Sequence, residues 1–375
     1  MPADPSVKFF RNTMSGAPAS NGDPGTFIAI FDACLVNGFG SVTLDSLVVA
    51  DNVATGTVST GHGFAMTGAT GPVIRIAGTT PAALNGDWRI QSIPASTAFT
   101  FSVSGIASQT ATGTITAKRA PAGFSKVFSG ANKAVYRADD VQSSRWYLRV
   151  DDSSTADAGW TVLQLFETML DVNTGANGSS AKYLLRRASA AYNHLRNWRL
   201  YADPRAFYFI TESLNNNDGW FGIGQCFFGD LAYPAVIADS APCGLAAFAT
   251  PSTGSTQTLP RIDDDAAGVL ALSHNGITRN VALRRRGHMT NVNIVSNGGA
   301  NYVANTGVLV KAVEAWEGSG YYRGIMPGWY GQVHNNLWNW RAMAYEHPQI
   351  GTLFGDNLYN SGDYNQFFDI TGPWR

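Results

Sequence analysis

Between Val53 and Ala117 the chain runs VATGTVSTGHGFAMTGATGPVIRIAGTTPAALNGDWRIQSIPASTAFTFSVSGIASQTATGTITA, and Arg75, Asp87 and Arg89 are its only formally charged side chains. Short β-branched or aromatic runs alternate there with Gly, Ser, Thr and Asn turns roughly every eight to twelve residues, the spacing of an all-β sandwich or barrel. Strands are expected over 46–49, 53–59, 73–77, 88–93, 97–103 and 110–117. The run Ala54-Thr55-Gly56-Thr57-Val58 recurs as Ala111-Thr112-Gly113-Thr114-Ile115. It is read as two similar strands at the beginning and end of the module, so that an insertion leaves and re-enters its host at neighbouring points. A small, uncharged, Thr-rich β unit suits a spacer or docking element and offers little material for catalysis.

Around this module the pattern stays β-rich, with one exception. A short strand in PSVKFFR is followed by a loop rich in Gly, Ala, Pro and Ser. A helix is then expected, with Asp23 as N-cap, Pro24 at the first helical position and Gly38 just past its end. Phe27, Ile28, Phe31, Cys34 and Leu35 form its apolar stripe, which should pack on a sheet of later strands. The segment KRAPAGFSKVFSG reads as a linker back to the main body. Beyond it, 145–150 and 160–169 read as paired strands, and 196–201 with 206–211 as a hairpin turned by Ala202-Asp203-Pro204-Arg205. Further strands are expected over 220–228 and near 281–284, and a last hairpin over 308–316 and 321–325 turns at Gly318-Ser319-Gly320. The stretch 181–194 is ambiguous between helix and strand. The expected organisation is therefore mainly β: residues 1–45 as strand and helix of a β-sandwich-type host, 46–118 as an inserted Ig-like or barrel-like module, and 119–375 as the main domain.

Charge narrows the function classes. Charged residues make up 14% of the 375 residues, against about 25% in a typical soluble protein, and Gly numbers 40. Much of the surface must then be neutral or in contact with other molecules. A formal net charge of −1 leaves no basic excess for phosphates, so nucleic acid is a poor partner, and Arg284-Arg285-Arg286 is too short to change that. No uninterrupted apolar stretch is long enough for a membrane span, and MPADPSVKFF lacks the features of a secretion signal. Cys34, Cys226 and Cys243 have no metal-ligand spacing; Cys34 lies on the apolar helix face, and a Cys226–Cys243 pair is left open. A reducing compartment suits them.

Catalytic chemistry finds no foothold. His62, His194, His274, His288, His334 and His347 form no HExxH or close ligand pair, and neither a GxSxG elbow nor a phosphate-binding loop is present. His62, in Gly61-His62-Gly63-Phe64, reads as a turn residue. The acidic runs Asp139-Asp140, Asp151-Asp152 and Asp263-Asp264-Asp265 read as solvated loop charges rather than a glycosidase pair or a calcium loop. No catalytic, cofactor-binding or metal-binding residue is assigned. Trp329 and Tyr330 in PGWYG and Trp338 and Trp340 in LWNWR are candidate interface aromatics.

The pieces TGHGF, PAALNGDWRI, FTFSVSG and TATGTITA resemble a β-sandwich insert common in tail proteins of bacteriophages. The stretch PSVKFFRNTMSGAP…FIAIFDACLVNGFG, the run RWYLRVDD and the ending FDITGPWR are similar to phage tail and baseplate structural proteins. The resemblance implies a non-enzymatic virion protein of the tail tip or baseplate, assembled in the host cytoplasm and joining the tail to fibres or receptor-binding proteins. It also implies other tail proteins as partners, a three- or sixfold homo-oligomer and no cofactor. The alternative reading is a receptor- or carbohydrate-binding tail fibre protein that takes a host surface glycan. A depolymerase working through the 263–265 run is a third.

Overall fold

The computed structural model of the chain describes residues 5–155, 160–178, 183–187, 196–213, 224–232, 243–249, 269–274, 277–284, 310–317, 322–332, 343–347, 349–357 and 365–375. They are mainly β, with one short α-helix, and their strands form three antiparallel sheets. Strand β1 (Lys8–Arg11) and helix α1 (Thr26–Phe31) precede an eight-stranded sheet. That sheet holds β2 (Phe39–Thr43), β3 (Ser46–Ala50), β4 (Val53–Thr57), β5 (Val73–Ala77), β6 (Gly86–Ala95), β7 (Ala98–Ser102), β8 (Gln109–Thr110) and β9 (Thr116–Arg119). Their order is β2-β9-β5-β6-β7-β4-β3-β8. A six-stranded sheet follows: β10 (Phe124–Gly130), β11 (Lys133–Ala138), β12 (Tyr147–Asp151), β13 (Trp160–Met169), β14 (Gly175–Gly178) and β15 (Tyr183–Arg186), the last two both pairing with β13. The remaining strands are β16 (Arg196–Ala202), β17 (Ala206–Ser213), β18 (Gly224–Asp230), β19 (Cys243–Ala249), β20 (Val269–His274), β21 (Ile277–Arg284), β22 (Val310–Glu317), β23 (Tyr322–Gln332), β24 (Met343–His347), β25 (Gly351–Asn357) and β26 (Asn365–Asp369). With β1 at one edge they build a 12-stranded sheet, sequential from β16 to β23 and ending β26-β25-β24.

Strands β16–β18 are buried on both faces, and their two-residue period sorts them between two cores. Leu200, Phe207, Phe209, Cys226 and Phe228 face a core shared with α1 and with Tyr136, Leu148, Val150, Leu163 and Leu165 of the six-stranded sheet. Tyr201, Tyr208, Ile210 and Phe227 face the other way, against Val313, Ala315, Met326, Trp329, Phe354 and Phe368. Residues far apart in the order of the large sheet thus meet in one core, so the sheet curls over itself. Reciprocal backbone hydrogen bonds of 2.8 Å between Ala232 and Ile325 fasten the curl.

The helix is shorter than its apolar stripe suggests, and Asp23 is not its cap. Gly25, at φ 86, occupies the cap position with no side-chain hydrogen bond to it, and Asp23 instead accepts from Asn21. The capping carboxylate comes from the far side of the core. Asp152 Oδ2 accepts from the Phe27 N–H at 3.0 Å, while its backbone carbonyl accepts from the Gly25 N–H at 3.1 Å. Asp152 is fully buried with Arg187, whose Nη1 donates to Asp152 Oδ1 at 2.8 Å, and Thr161 donates to the same oxygen. The reading of Asp151-Asp152 as solvated charges is therefore corrected for Asp152; Asp151, one residue away on the opposite face, pairs with Arg149 and Lys133. Past Phe31 the helix widens into a π-helical turn, Asp32–Asn37. The carbonyls of Cys34 and Leu35 accept from the Ala122 and Gly123 N–H groups, and Asp32 is held by Tyr136 and Lys126. Gly38 ends the turn at φ 72, where an added Cβ would run into the Arg119 carbonyl.

The eight-stranded sheet follows its expected strands closely, with two corrections. The 110–117 stretch divides into β8 and β9, and the second ATGT-like run lies between them outside any strand, with Thr112 bridged to Thr80. The first run is β4, an interior strand between β3 and β7. The neighbouring way in and way out are instead β2 and β9, which pair Val42 with Ala117 and Thr43 with Thr116. The expected linker is instead mostly strand, because Lys118 and Arg119 end β9 and Phe124–Gly130 is β10. Of the ambiguous 181–194 stretch, Tyr183–Arg186 is a strand, and 181–182 and 188–194 lie outside the described residues.

Removing the Asp152 carboxylate leaves the Arg187 charge buried and the first turn of α1 without its acceptor. Asp152→Ala should lower unfolding free energy by about 3–5 kcal/mol. Urea denaturation followed by tryptophan fluorescence reads the loss.

Candidate functional site

The seam between the eight-stranded sheet and the rest of the chain is assembled from residues distant in sequence. Arg89, near the start of β6, reaches across it. Its Nη1 donates to the carbonyls of Gly71 (3.0 Å) and Ile370 (3.3 Å), and its Nη2 to those of Val7 (2.8 Å) and Thr371 (3.2 Å). One guanidinium thereby ties the module to segments near both chain ends. Beside it Lys8 Nζ lies 3.4 Å from Asp87, which also accepts from Arg75 at 2.7 Å. Burial holds the Lys8 ammonium below its usual pKa, with Asp87 opposing that shift. The turn Thr67–Thr70 lies on β24 and β25. The Ala69 N–H donates to Glu346 Oε1 at 2.8 Å, and Thr70 Oγ1 donates to Thr352 Oγ1 at 2.7 Å. Gly68, at φ 59, sits where a Cβ would meet the Glu346 carboxylate and the Ala344 and Thr352 side chains. These contacts hold the module in one orientation through neutral and singly charged groups.

The strands β3, β4, β7 and β8 of the module carry no charged side chain. In register, Thr110, Val48, Thr55, Thr100 and Ser92 run across β8, β3, β4, β7 and β6. A parallel row holds Ser46, Thr57 and Ala98, and another Ala50, Val53 and Ser102. Hydroxyls pair within these rows, Ser46 with Thr57 at 2.7 Å and Ser92 with Thr100 at 2.7 Å, and Ser102 donates to Gln91 at 2.9 Å. Val48 is 38% exposed in the middle of the face. The alternate residues Leu47, Val49, Ala54, Phe99 and Phe101 fill the module's core.

A second polar cluster sits at the last residue. Arg375 Nε donates to Asp203 Oδ2 at 2.7 Å, and its Nη1 donates to the carbonyls of Asp230 and Leu231 at 3.0 and 3.2 Å. Asp203 Oδ1 also accepts from the Arg205 and Ala206 N–H groups, closing the β16–β17 turn. Asp230 accepts from the Ser144 N–H at 2.8 Å and from its hydroxyl. Arg205 donates to Asp140, so Asp140 is another paired rather than freely solvated member of the acidic runs. Burial raises the Asp230 carboxyl above its usual range, against the pull of the Ser144 bonds and Arg375.

The candidates named from sequence fall as follows. His62 is 2% exposed; its Nδ1 accepts from the Phe64 N–H and its Nε2 bonds to the Ala95 carbonyl, so it organises its own turn. Trp329 is 3% exposed and stacks on Phe368, which corrects its reading as an interface aromatic; Tyr330 beside it is half-buried. Trp338, Trp340 and Asp263–Asp265 lie outside the described residues, as do His194, His288, His334, Arg285 and Arg286, while Arg284 ends β21. The three cysteines are free and buried, and Cys226 and Cys243 are set four positions apart in the β18–β19 register, which resolves their open pairing. Among the described residues no group of three or more His, Cys, Asp or Glu side chains could hold a metal ion, and no helix is long and apolar enough to cross a membrane. No role was assigned in sequence to Arg89, Arg119 or Arg375, since no local motif marks an arginine that bonds to carbonyls tens or hundreds of residues away, as these do at Val7, Ser15 and Asp230. Among known proteins, no family model matches the chain and no curated protein is significantly similar to it.

Two outcomes follow for these clusters. Arg89→Met strands several buried carbonyls and should destabilise the seam by about 3 kcal/mol, seen as faster limited proteolysis at the 67–72 turn. A raised native pKa means that the folded chain holds the Asp230 proton at a pH where the unfolded chain has lost it. Acidification through that interval therefore favours the native state. Asp230→Asn lacks this uptake. Relative to the parent, its urea midpoint should fall progressively as pH drops from the native pKa of Asp230 toward about 4.

Proposed function

We propose that the chain is a non-enzymatic structural protein of a tailed-bacteriophage virion, placed at the tail tip or baseplate and joining the tail to fibres or receptor-binding proteins. The observation that carries this reading is the charge-free hydroxyl face of the module, presented by a sheet anchored through Arg89 and the Thr67–Thr70 turn. Such a face can be covered by another protein with no ion to desolvate and with the hydroxyls of Ser46, Thr57, Ser92, Thr100 and Ser102 already bonded. Buried charges elsewhere support the same reading, because Arg187, Arg89 and Arg375 bind backbone carbonyls and hold segments together. The resemblance of the insert and of the ending FDITGPWR to phage tail proteins supplies the setting. In that setting the partners are other tail proteins and further copies of the chain, in a three- or sixfold arrangement.

The reading is tested on whole particles. Image reconstruction of the virion should place this chain on the tail with a copy number that is a multiple of three, with the module directed at a neighbouring protein. Particles that lack the chain, or a chain that remains monomeric with tail components present, contradict it. Because β2 and β9 are paired neighbours, deletion of residues 46–113, which keeps both strands, should leave a soluble body with native β circular dichroism and without tail incorporation. A wholly insoluble deletion variant contradicts the insertion scheme.

A further inference from the structure

An edge strand offers unpaired backbone groups to any extended chain, and proteins blunt such edges with bulges, very short strands or a covering element. Among the described residues, the outer strands of the two smaller sheets are blunted in this way. β2 and β10 each carry a register shift, between Phe39 and Val42 and between Lys126 and Phe128. β8 has only two residues, β14 holds Asn177 at φ 52, and β15 is packed onto β19. β1 and β24, at the two ends of the 12-stranded sheet, pair with their neighbours in unbroken register and hold no residue at positive φ.

The module stands at both of these ends. The Asn12 N–H donates to the Trp198 carbonyl at 3.1 Å, which continues the β1–β16 ladder and turns residues 8, 10 and 12 toward β16. Val7, Phe9 and Arg11 therefore direct their backbone groups to the outer side. There Arg89 donates to the Val7 carbonyl at 2.8 Å and the Met14 N–H to the Arg11 carbonyl at 3.1 Å, so that Phe9 is the position left for pairing. At the other end the Thr67–Thr70 turn covers β24, with the Ala69 N–H on Glu346 Oε1 and Gly68 against Ala344. The two ends differ in charge, since KFFR carries Lys8 and Arg11 whereas MAYEH carries Glu346. The module occupies one residue of each kind, Lys8 through Asp87 and Glu346 through Ala69.

We propose that the module guards both ends of the large sheet, and that loosening it lets β1 of one copy pair with β24 of a second copy. Charge selects this partner. Lys8 and Arg11 of one strand meet Glu346 of the other, whereas β1 laid against β1 sets cations opposite cations. A contact between two different edges is head-to-tail, so it builds a ring or an open chain. Lys8 and Glu346, which this pairing uses, are the residues that the docked module holds. The inference stands apart from the virion role, because it is read on isolated copies of the chain.

The test compares the full chain with Gly68→Val, whose added side chain runs into Glu346, Ala344 and Thr352, and with Asp87→Asn, which releases Lys8. Limited proteolysis at the 67–72 turn reports undocking. Hydrogen exchange of the β1 and β24 amides should then quicken by about tenfold or more while β17 and β18 keep the parent rates. Sedimentation should show association that grows with concentration in the undocked variants and is absent from the parent. Adding Glu346→Lys to Gly68→Val should abolish that association. Undocked copies that stay monomeric overturn the proposal, including any whose β1 and β24 become protected by closing on each other within one chain. Association that survives Glu346→Lys overturns it as well. Should neither variant fold, exchange in the parent chain decides: β1 and β24 should open together with the 67–72 turn, and independent opening overturns the guard role.

Discussion

The strict two-residue alternation of β16, β17 and β18 governs the rest of the architecture. Each of these strands carries large apolar groups on both faces, so the layer they form must be covered twice. One cover is the six-stranded sheet with α1 wedged beside it, where Phe27 and Phe31 meet Phe209 edge to face at 5.0 Å. The other is the far part of the same sheet, which has to curl back to reach Tyr208 and Phe227. A register slip of one residue would exchange the two sets of side chains between covers of different shape. The curl, the place of α1 and the position of the C-terminal residues follow from that single periodicity.

Interior cations supply the second organising device. The chain has few charges, and several of those it has are arginines whose forked donors gather carbonyls from separate segments. Arg187 draws together the approach to α1 and the loop after β12, Arg375 the ends of β16 and β18, and Arg89 the module and both chain ends. A planar group with five donors can satisfy several turns of irregular backbone at once, which a lysine cannot do. This is how a protein built from many short strands satisfies backbone carbonyls where its ladders end.

Much of the β pattern was legible because it is local. Val73–Ala77 and Trp160–Met169 were read at their observed limits, and the 196–211 hairpin was recognised from its turn residues. What escaped was set by distance. Asp23 has the chemistry of a helix cap, but the position went to Gly25 and the capping oxygens to Asp152, more than a hundred residues later. Asp151 and Asp152 look alike in sequence, yet strand alternation sends one toward solvent and the other into the core. Trp329, in a Gly-rich run suggestive of a surface, is covered because the sheet curls over it. The repeated ATGT run misled for the same kind of reason: identical short strings took different structures in different tertiary surroundings.

The pairing of β2 with β9 has a consequence for how such a chain can change. The body meets everything between Thr43 and Thr116 as one pair of adjoining strands, whatever the length or shape of what lies beyond them. Evolution can therefore exchange, enlarge or trim that appendage while the body keeps its own hydrophobic interior. Among the described residues, the ties that limit this freedom include the guanidinium at position 89, the glycine turn at 67–70, the lysine at position 8 and the bonds of Arg119 to the Ser15 and Gly63 carbonyls.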